Sequence, residues 1–418
     1  MKFSTFQNQL LNISYYLFCL IPVGLVTGPF LPDLFLTIIS SIYLFFFIKI
    51  DKVNKFTKYF FYVSIAFYFI IIFSSLLSEV IFVSFKSSFF YLRFIIFIPA
   101  VIFIFKNKKI SINSLLYLLL LISIIIIFDS YFQYIFKTNI IGLEPTKISD
   151  YDYRITGLFG KDEILGSYLS KIFPVIITFV FLSNLKFKEL LTIFLFVIFG
   201  ISIFISSERT SFIHFLIFSF LFLSLSSIKY KKFFFIFFFS IILLIIVNDS
   251  GKKQRMILSL QNSFKNLEFS AYHTLHYKTA WKMFLDRRII GHGPKSFRYK
   301  CSSEKYSSGK GSCSTHPHNT YLQLLAETGL LGFLIITILF TLILIKLAKI
   351  FFIKYFYKKN IYYNSEISIL IGLFIYLWPI SPNGNFFNNW LSTFLFFQAS
   401  IFFLCKEIKS NQTIKNNI

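Results

Sequence analysis

The sequence predicts an all-α, polytopic membrane protein: a single membrane domain over residues 1–418 with about 12 transmembrane helices and a large outward loop. Three observations carry that expectation. Hydrophobic residues make up 56% of the 418, with a mean hydropathy of +0.71. A soluble domain has too little interior to bury so much apolar surface, so lipid is the solvent for most of the chain. Apolar runs of roughly 17–25 residues recur along the whole length. Short basic loops fall between alternate runs, as loops held on one side of a bilayer do.

The runs are 10–30, 34–49, 59–78, 87–105, 111–128, 164–184, 189–206, 211–227, 233–248, 329–346, 366–379 and 390–405. The first is too long for a signal-peptide core and no small-x-small site follows it, so it is expected to be a retained helix. Phe, Ile, Lys, Asn and Tyr share A/T-rich codons, and base composition accounts for part of the 62 phenylalanines and of the net charge of +24. Such a charge could grip nucleic acid or anionic lipid. Here the lysines form no long tract, which argues for ordinary cytoplasmic loops and against a nucleic-acid partner.

Lys49, Lys52, Lys55 and Lys58 lie in the second loop, and Lys106, Lys108 and Lys109 in the fourth. Lys186 and Lys188 follow in the sixth, Lys229, Lys231 and Lys232 in the eighth, and Lys346, Lys349, Lys354, Lys358 and Lys359 in the tenth. Lys406 and Lys409 close the tail. Every basic short loop is thus even-numbered, which puts both termini in the cytoplasm and the odd loops outside.

Two outward segments, 129–163 and 249–328, exceed what a turn requires and are expected to be functional or disordered. The second holds His273, His276, His292, His316 and His318, with Cys301 and Cys313. In an oxidising outer compartment these cysteines are expected to form a disulfide that closes a Gly/Ser-rich loop. Cys19 and Cys405 fall in or beside helices as apolar filler.

The stretch Thr315-His316-Pro317-His318-Asn319-Thr320, continuing to Thr328-Gly329, carries helix-start signals and then a break. Leu322, Leu325 and Ala326 give it one apolar face, so a short amphipathic helix at the outer membrane surface is expected. His318 would occupy its first turn, where the helix dipole favours an anion and a neutral imidazole able to act as general base. A solvated interfacial histidine, or a metal site built on His316-x-His318 with His273, His276 and His292, are the competing readings; zinc would need further ligands. Arg93 falls within an apolar run and is either paired or functional. The Trp378-Pro379 to Asn389-Trp390 stretch reads as an outer turn with aromatic anchors and no chemistry.

His318-Asn319, followed by Gly329 and Gly332, resembles the signature of the O-antigen ligase/polymerase superfamily. Trp281-Lys282-Met283-Phe284 with Ile290-Gly291-His292-Gly293-Pro294-Lys295-Ser296-Phe297 resembles that family's W…P-x-x-G-x-G-x-x-x-F segment, and Ser206-Ser207-Glu208-Arg209-Thr210-Ser211 its S-x-R motif. The likeness spans about 200–335. It implies a metal-independent, cofactor-free glycosyltransferase of the bacterial inner membrane with its active face in the periplasm. Such an enzyme moves a glycan from undecaprenyl pyrophosphate to an acceptor hydroxyl, lipid A-core for a ligase or the growing chain for a polymerase. By the same likeness His318 is the base and Arg209 the donor clamp, its planar fork suited to two phosphate oxygens. The family's second arginine, a turn before the tryptophan, is missing from His276-Tyr277-Lys278-Thr279-Ala280-Trp281. Lys278 or His276 would replace it, with Arg287, Arg288 and Arg298 in reserve. Arg154, in the other long outer segment, is either a further substrate contact or a plain loop charge. The rival from another class, a polysaccharide exporter, needs no histidine base.

Overall fold

The computed structural model of the chain describes residues 3–49, 55–108, 111–149, 152–258 and 271–416. Lys52, Lys109 and the stretch 259–270 of the second long segment lie outside the described residues. Every apolar run named above coincides with a helix. The helices are α1 (Thr5–Gly24), α2 (Phe30–Ile42, prolonged by a π turn over Tyr43–Phe47), α3 (Lys55–Leu76), α4 (Ile81–Phe89), α5 (Leu92–Asn107) and α6 (Ile112–Phe136). After them come α7 (Leu165–Leu182), α8 (Lys188–Ile205), α9 (Arg209–Leu225), α10 (Lys231–Asn248) and α11 (Ser250–Lys253). The rest are α12 (Ala271–Asp286), α13 (Phe297–Lys300), α14 (Thr320–Tyr355), α15 (Asn364–Tyr376) and α16 (Asn389–Asn416).

Among the described residues, nine stretches are long and apolar enough to cross a bilayer, and α9 and α15 are shorter apolar helices. The protein is a polytopic, all-α membrane protein. Among the described residues the one departure from that class is a bulged antiparallel ribbon, β1 (Thr146–Ser149) with β2 (Asp152–Arg154), which pairs Thr146 with Arg154. The long segments are also more ordered than loops: α6 runs on to Phe136, so the first begins at Lys137, and α12, α13 and the start of α14 fill much of the second.

α7 and α15 pack on each other at the centre, and α15 is buried around its whole circumference. α9 and α16 close around them, and α5 is held between α2 and α16. A helix that is apolar on every face needs either protein or lipid on every face. α10 and the outer part of α14 meet the second requirement and expose Phe235, Ile236, Leu243, Ile338 and Leu342.

The even-numbered loops come together at one end. Lys354 Nζ donates to the carbonyls of Ser224 and Ser226 at 2.7 and 2.6 Å, and Lys231 Nζ donates to Ser226 O at 2.8 Å. These cations meet the carbonyls that the C-terminus of α9 leaves unpaired. Glu189 accepts from Lys229 N, Asn113 from Asn184 N, and Glu366 is bracketed by Lys346 and Lys406. The odd-numbered connections meet at the opposite end, where Trp390 Nε1 donates to Leu25 O, Ser74 Oγ to Glu327 O, and Tyr134 to Asp249. The molecule therefore has a lysine end and a second end where the histidines gather.

Candidate active site: a histidine and arginine cluster

The site is built on a broken helix. Asn319 caps α14, its side chain accepting from Tyr321 N and Leu322 N at 3.0 Å each. The helix is interrupted at Gly329, whose backbone (φ 62, ψ −164) lies in a region open essentially to glycine alone. Thr320–Thr328 is thus a separate segment, and the expected surface helix is corrected: Leu322 alone in it is partly exposed. The segment is enclosed because the turn before α13 docks onto it. His292 N donates to Ala326 O, Gly293 N to Glu327 O and Leu330 N to Arg288 O, at 3.0, 2.8 and 2.8 Å. A Cβ on Gly329 would come within 2.3 Å of Ile289 O, and one on Gly291 within 2.5 Å of the Glu327 carbonyl carbon. The glycines are there because two backbones touch.

His318 does not occupy the first turn of α14. It precedes the Asn319 cap with a left-handed φ of 57, and its carbonyl accepts from Asn383 N at 2.9 Å. His316 Nε2 meets Asn383 O at 3.2 Å. The turn between α15 and α16, which the sequence left without a role, therefore holds both histidines. The His316 and His318 rings lie 4.1 Å apart, and α12 brings in His273 and His276 at 4.9 and 5.3 Å from His318. Burial, helped by the neighbouring imidazoles, pushes His318 down to about 3. His316 falls to about 4, again chiefly through burial, and His273 and His276 are lowered for the same reason. His273 Nδ1, His276 Nδ1 and Tyr277 Oη are buried with no hydrogen-bond partner among the described residues. Among the described residues, no three His, Cys, Asp or Glu side chains are grouped as metal ligands.

Arg209 opens α9, directly after the Glu208 cap. The Glu208 oxygens accept from Gly166 N, Ser167 N and Ser211 Oγ at 2.6, 3.0 and 3.0 Å. Arg209 lies close enough to His273 for its charge to help lower that imidazole. Ser207, with a left-handed φ of 63, turns its carbonyl to Arg255 Nε at 3.0 Å and its hydroxyl to the buried Lys252. Arg255 thus stands beside Arg209, and the two repel one another. Arg298 reaches the cluster from α13, near enough to His316 to depress it.

Other expected site residues go elsewhere. Lys278 is exposed, and as the second residue after His276 on a helix it points away from the histidine face. Arg154 pairs with Glu163. Arg93 sits in the first turn of α5 at the histidine end rather than mid-span, paired with Asp33 at 2.7 Å. Arg287 is bound to Glu79 at 2.9 Å. His292 is fully buried away from the cluster, with Nε2 on Met283 O and Nδ1 accepting from Lys300 Nζ, both at 3.0 Å. Cys301 and Cys313 are joined in a disulfide just ahead of Ser314 and His316, and Cys19 and Cys405 are buried thiols.

Apolar spans that gather guanidinium groups and imidazoles at one end define a membrane protein with a polar, cationic site at one end of the bundle. Residues 194–337 match the family model described as O-antigen ligase, a stretch that includes Arg209, all four clustered histidines and the Gly329 break. Over that stretch the chain is similar to the O-antigen ligase family. No curated protein matches the chain.

Proposed function

We propose that the protein transfers a glycan from a polyprenyl pyrophosphate to an acceptor hydroxyl, with inversion and without a metal, at the histidine end of the bundle. The observation that carries this reading is the meeting of Arg209, Arg255 and the histidine cluster around buried nitrogens that lack partners. Orphaned buried polar atoms call for a ligand, and two guanidiniums held side by side against their mutual repulsion suit a pyrophosphate. In the reaction the acceptor oxygen attacks the anomeric carbon, and the bond to the phosphate oxygen breaks. Polyprenyl pyrophosphate leaves with the electron pair while His318 takes the hydroxyl proton. The arginines would stabilise charge growing on the leaving group. A cavity of about 420 Å³ between α3, α5, α14 and α16, lined by Phe67, Tyr91, Leu339 and Phe396, ends at Leu377 and Phe386 on the turn that holds the histidines. We assign it to the prenyl tail.

In the cell, we place the lysine end in the cytoplasm and the histidine end in the periplasm of a bacterial inner membrane. Ligase is favoured over polymerase only slightly, because both share the motif. Lipid A-core is then the acceptor; for a polymerase it is the growing lipid-linked chain. Arg255 takes the place that the sequence offered to Lys278 or His276.

Donor binding tests the clamp. Arg209→Lys and Arg255→Ala should each weaken binding of a polyprenyl pyrophosphate by about tenfold or more, the first because a point charge does not reproduce the bidentate fork and the second because the cation is removed. Exposed Lys278→Ala should leave it unchanged. Unaltered binding by both arginine variants, measured by displacement of labelled donor, would remove the site from the donor.

The imidazoles also set a pH signature. kcat/KM reports the free enzyme, and His318 is held at about 3 rather than 6.5. The rate should therefore show no limb near pH 6.5 and stay flat down to about pH 5. Bound pyrophosphate would raise the imidazoles, so the limb in kcat should lie at higher pH than that in kcat/KM. Stability has the opposite trend to a gained histidine pair: between about 6.5 and 3 the unfolded chain binds more protons, so melting should fall as pH drops through that window. A single limb at pH 6.5 in kcat/KM would contradict the burial of His318.

A further inference from the structure

The face of α12 opposite the histidines is exposed and carries large apolar groups together with cations. Trp281 and Leu285 on α12, and Ile289 in the turn that follows it, are 47%, 45% and 64% exposed. Lys278, Lys282 and Arg288 are exposed among them, while Asp286 is neutralised by Lys305 at 2.5 Å. Mixed tryptophan, leucine and lysine on one arc is the composition of helices that lie in a membrane surface.

Contacts at its C-terminal end fix the height of this helix. Arg287 Nη1 donates to Leu77 O at 2.7 Å, just past the end of α3, and Leu330 N donates to Arg288 O at 2.8 Å, where α14 resumes after its break. Both neighbours expose apolar side chains there, Leu76 and Leu77 on one side and Leu330 and Leu331 on the other. Trp281, Leu285 and Ile289 continue the lipid-facing surface of two spanning helices beyond their ends.

We infer that this arc of α12 and the turn after it is a membrane-docking surface, with the apolar stripe sunk in the headgroup layer of the bilayer and Lys278, Lys282 and Arg288 against anionic lipid phosphates. The opposite face, with His273 and His276, is thereby held at the depth where the head of a lipid-linked substrate lies; that consequence alone rests on the proposed function.

Spin labels test it in the full-length protein, reconstituted in phosphatidylethanolamine and phosphatidylglycerol vesicles. The unpaired cysteines Cys19 and Cys405 are buried and the others are bonded, so Trp281→Cys, Leu285→Cys and Ile289→Cys each offer one reactive thiol. Leu334→Cys, exposed on the spanning part of α14, gives the lipid reference, and Lys310→Cys in the disulfide loop the aqueous one. Collision with oxygen relative to a water-soluble nickel chelate should be about an order of magnitude higher at positions 281, 285 and 289 than at 310, because hydrocarbon excludes the charged chelate. Ratios at those three positions equal to that at 310 would place the arc in water and overturn the inference. Such an outcome leaves the donor-binding test untouched, so the two failures are distinguishable.

Discussion

Replacing His318 by asparagine is expected to lower turnover by about 10²–10⁴-fold while donor binding persists. Asparagine is the informative choice because His318 has a left-handed φ of 57, which asparagine tolerates better than alanine does. The backbone bond from Asn383 N to the carbonyl at 318 should survive, as should the Asn319 cap. What is lost is the imidazole proposed to take the acceptor proton. Single-turnover transfer and donor displacement, measured on the same preparation, separate the two effects. A folded His318→Asn protein with full transfer activity would strip His318 of the role of base and shift attention to His316 or His273.

Gly329→Ala is expected to abolish activity although it touches no substrate. The backbone region it occupies costs about 1–3 kcal/mol for a residue with a Cβ, and the added carbon would meet Ile289 O at 2.3 Å. The turn at 289–293 has to move away, and with it the bonds from His292 N to Ala326 O and from Gly293 N to Glu327 O. Those bonds hold α12 and α13, and hence His273, His276 and Arg298, against the His318 segment. Loss of at least about 100-fold in turnover is the expected result, with a lower melting temperature. Leu331→Ala, two residues on and exposed, should change neither by comparison. Equal activity in both variants would mean that the break does not position the site.

Most of the membrane architecture was legible because its cause is local. A run of apolar residues long enough to cross a bilayer reads the same in any context, and alternating lysines separate the two ends. The small ribbon at Thr146–Arg154 was hidden, since a bulged two-stranded pair in a polar loop has no periodic signal. At the site, His318-Asn319 and Gly329 could be read because a cap and a break are written in adjacent residues. Arg255 could not. It is brought beside Arg209 by its bond to Ser207, 48 residues away in the chain. Asn383 was unreadable for the same reason: its contacts to His316 and His318 are made by backbone atoms, which leave no side-chain signature. Lys278 misled because charge at the right sequence distance from Trp281 says nothing about helix face, whereas its two-residue offset from His276 turns it outward. Asp33 was overlooked as the partner of Arg93, although a carboxylate and a guanidinium near apolar runs invite a search for each other.

The central claim is that a bond is broken at the histidine end, and product analysis tests it most directly. Purified protein in vesicles, supplied with a polyprenyl pyrophosphate glycan, an acceptor and excess chelator, should release polyprenyl pyrophosphate in equal amount to glycan joined to acceptor. His318→Asn should yield neither. Glycan that crosses the bilayer still attached to its lipid, with no polyprenyl pyrophosphate set free, would contradict the account and make the protein an exporter.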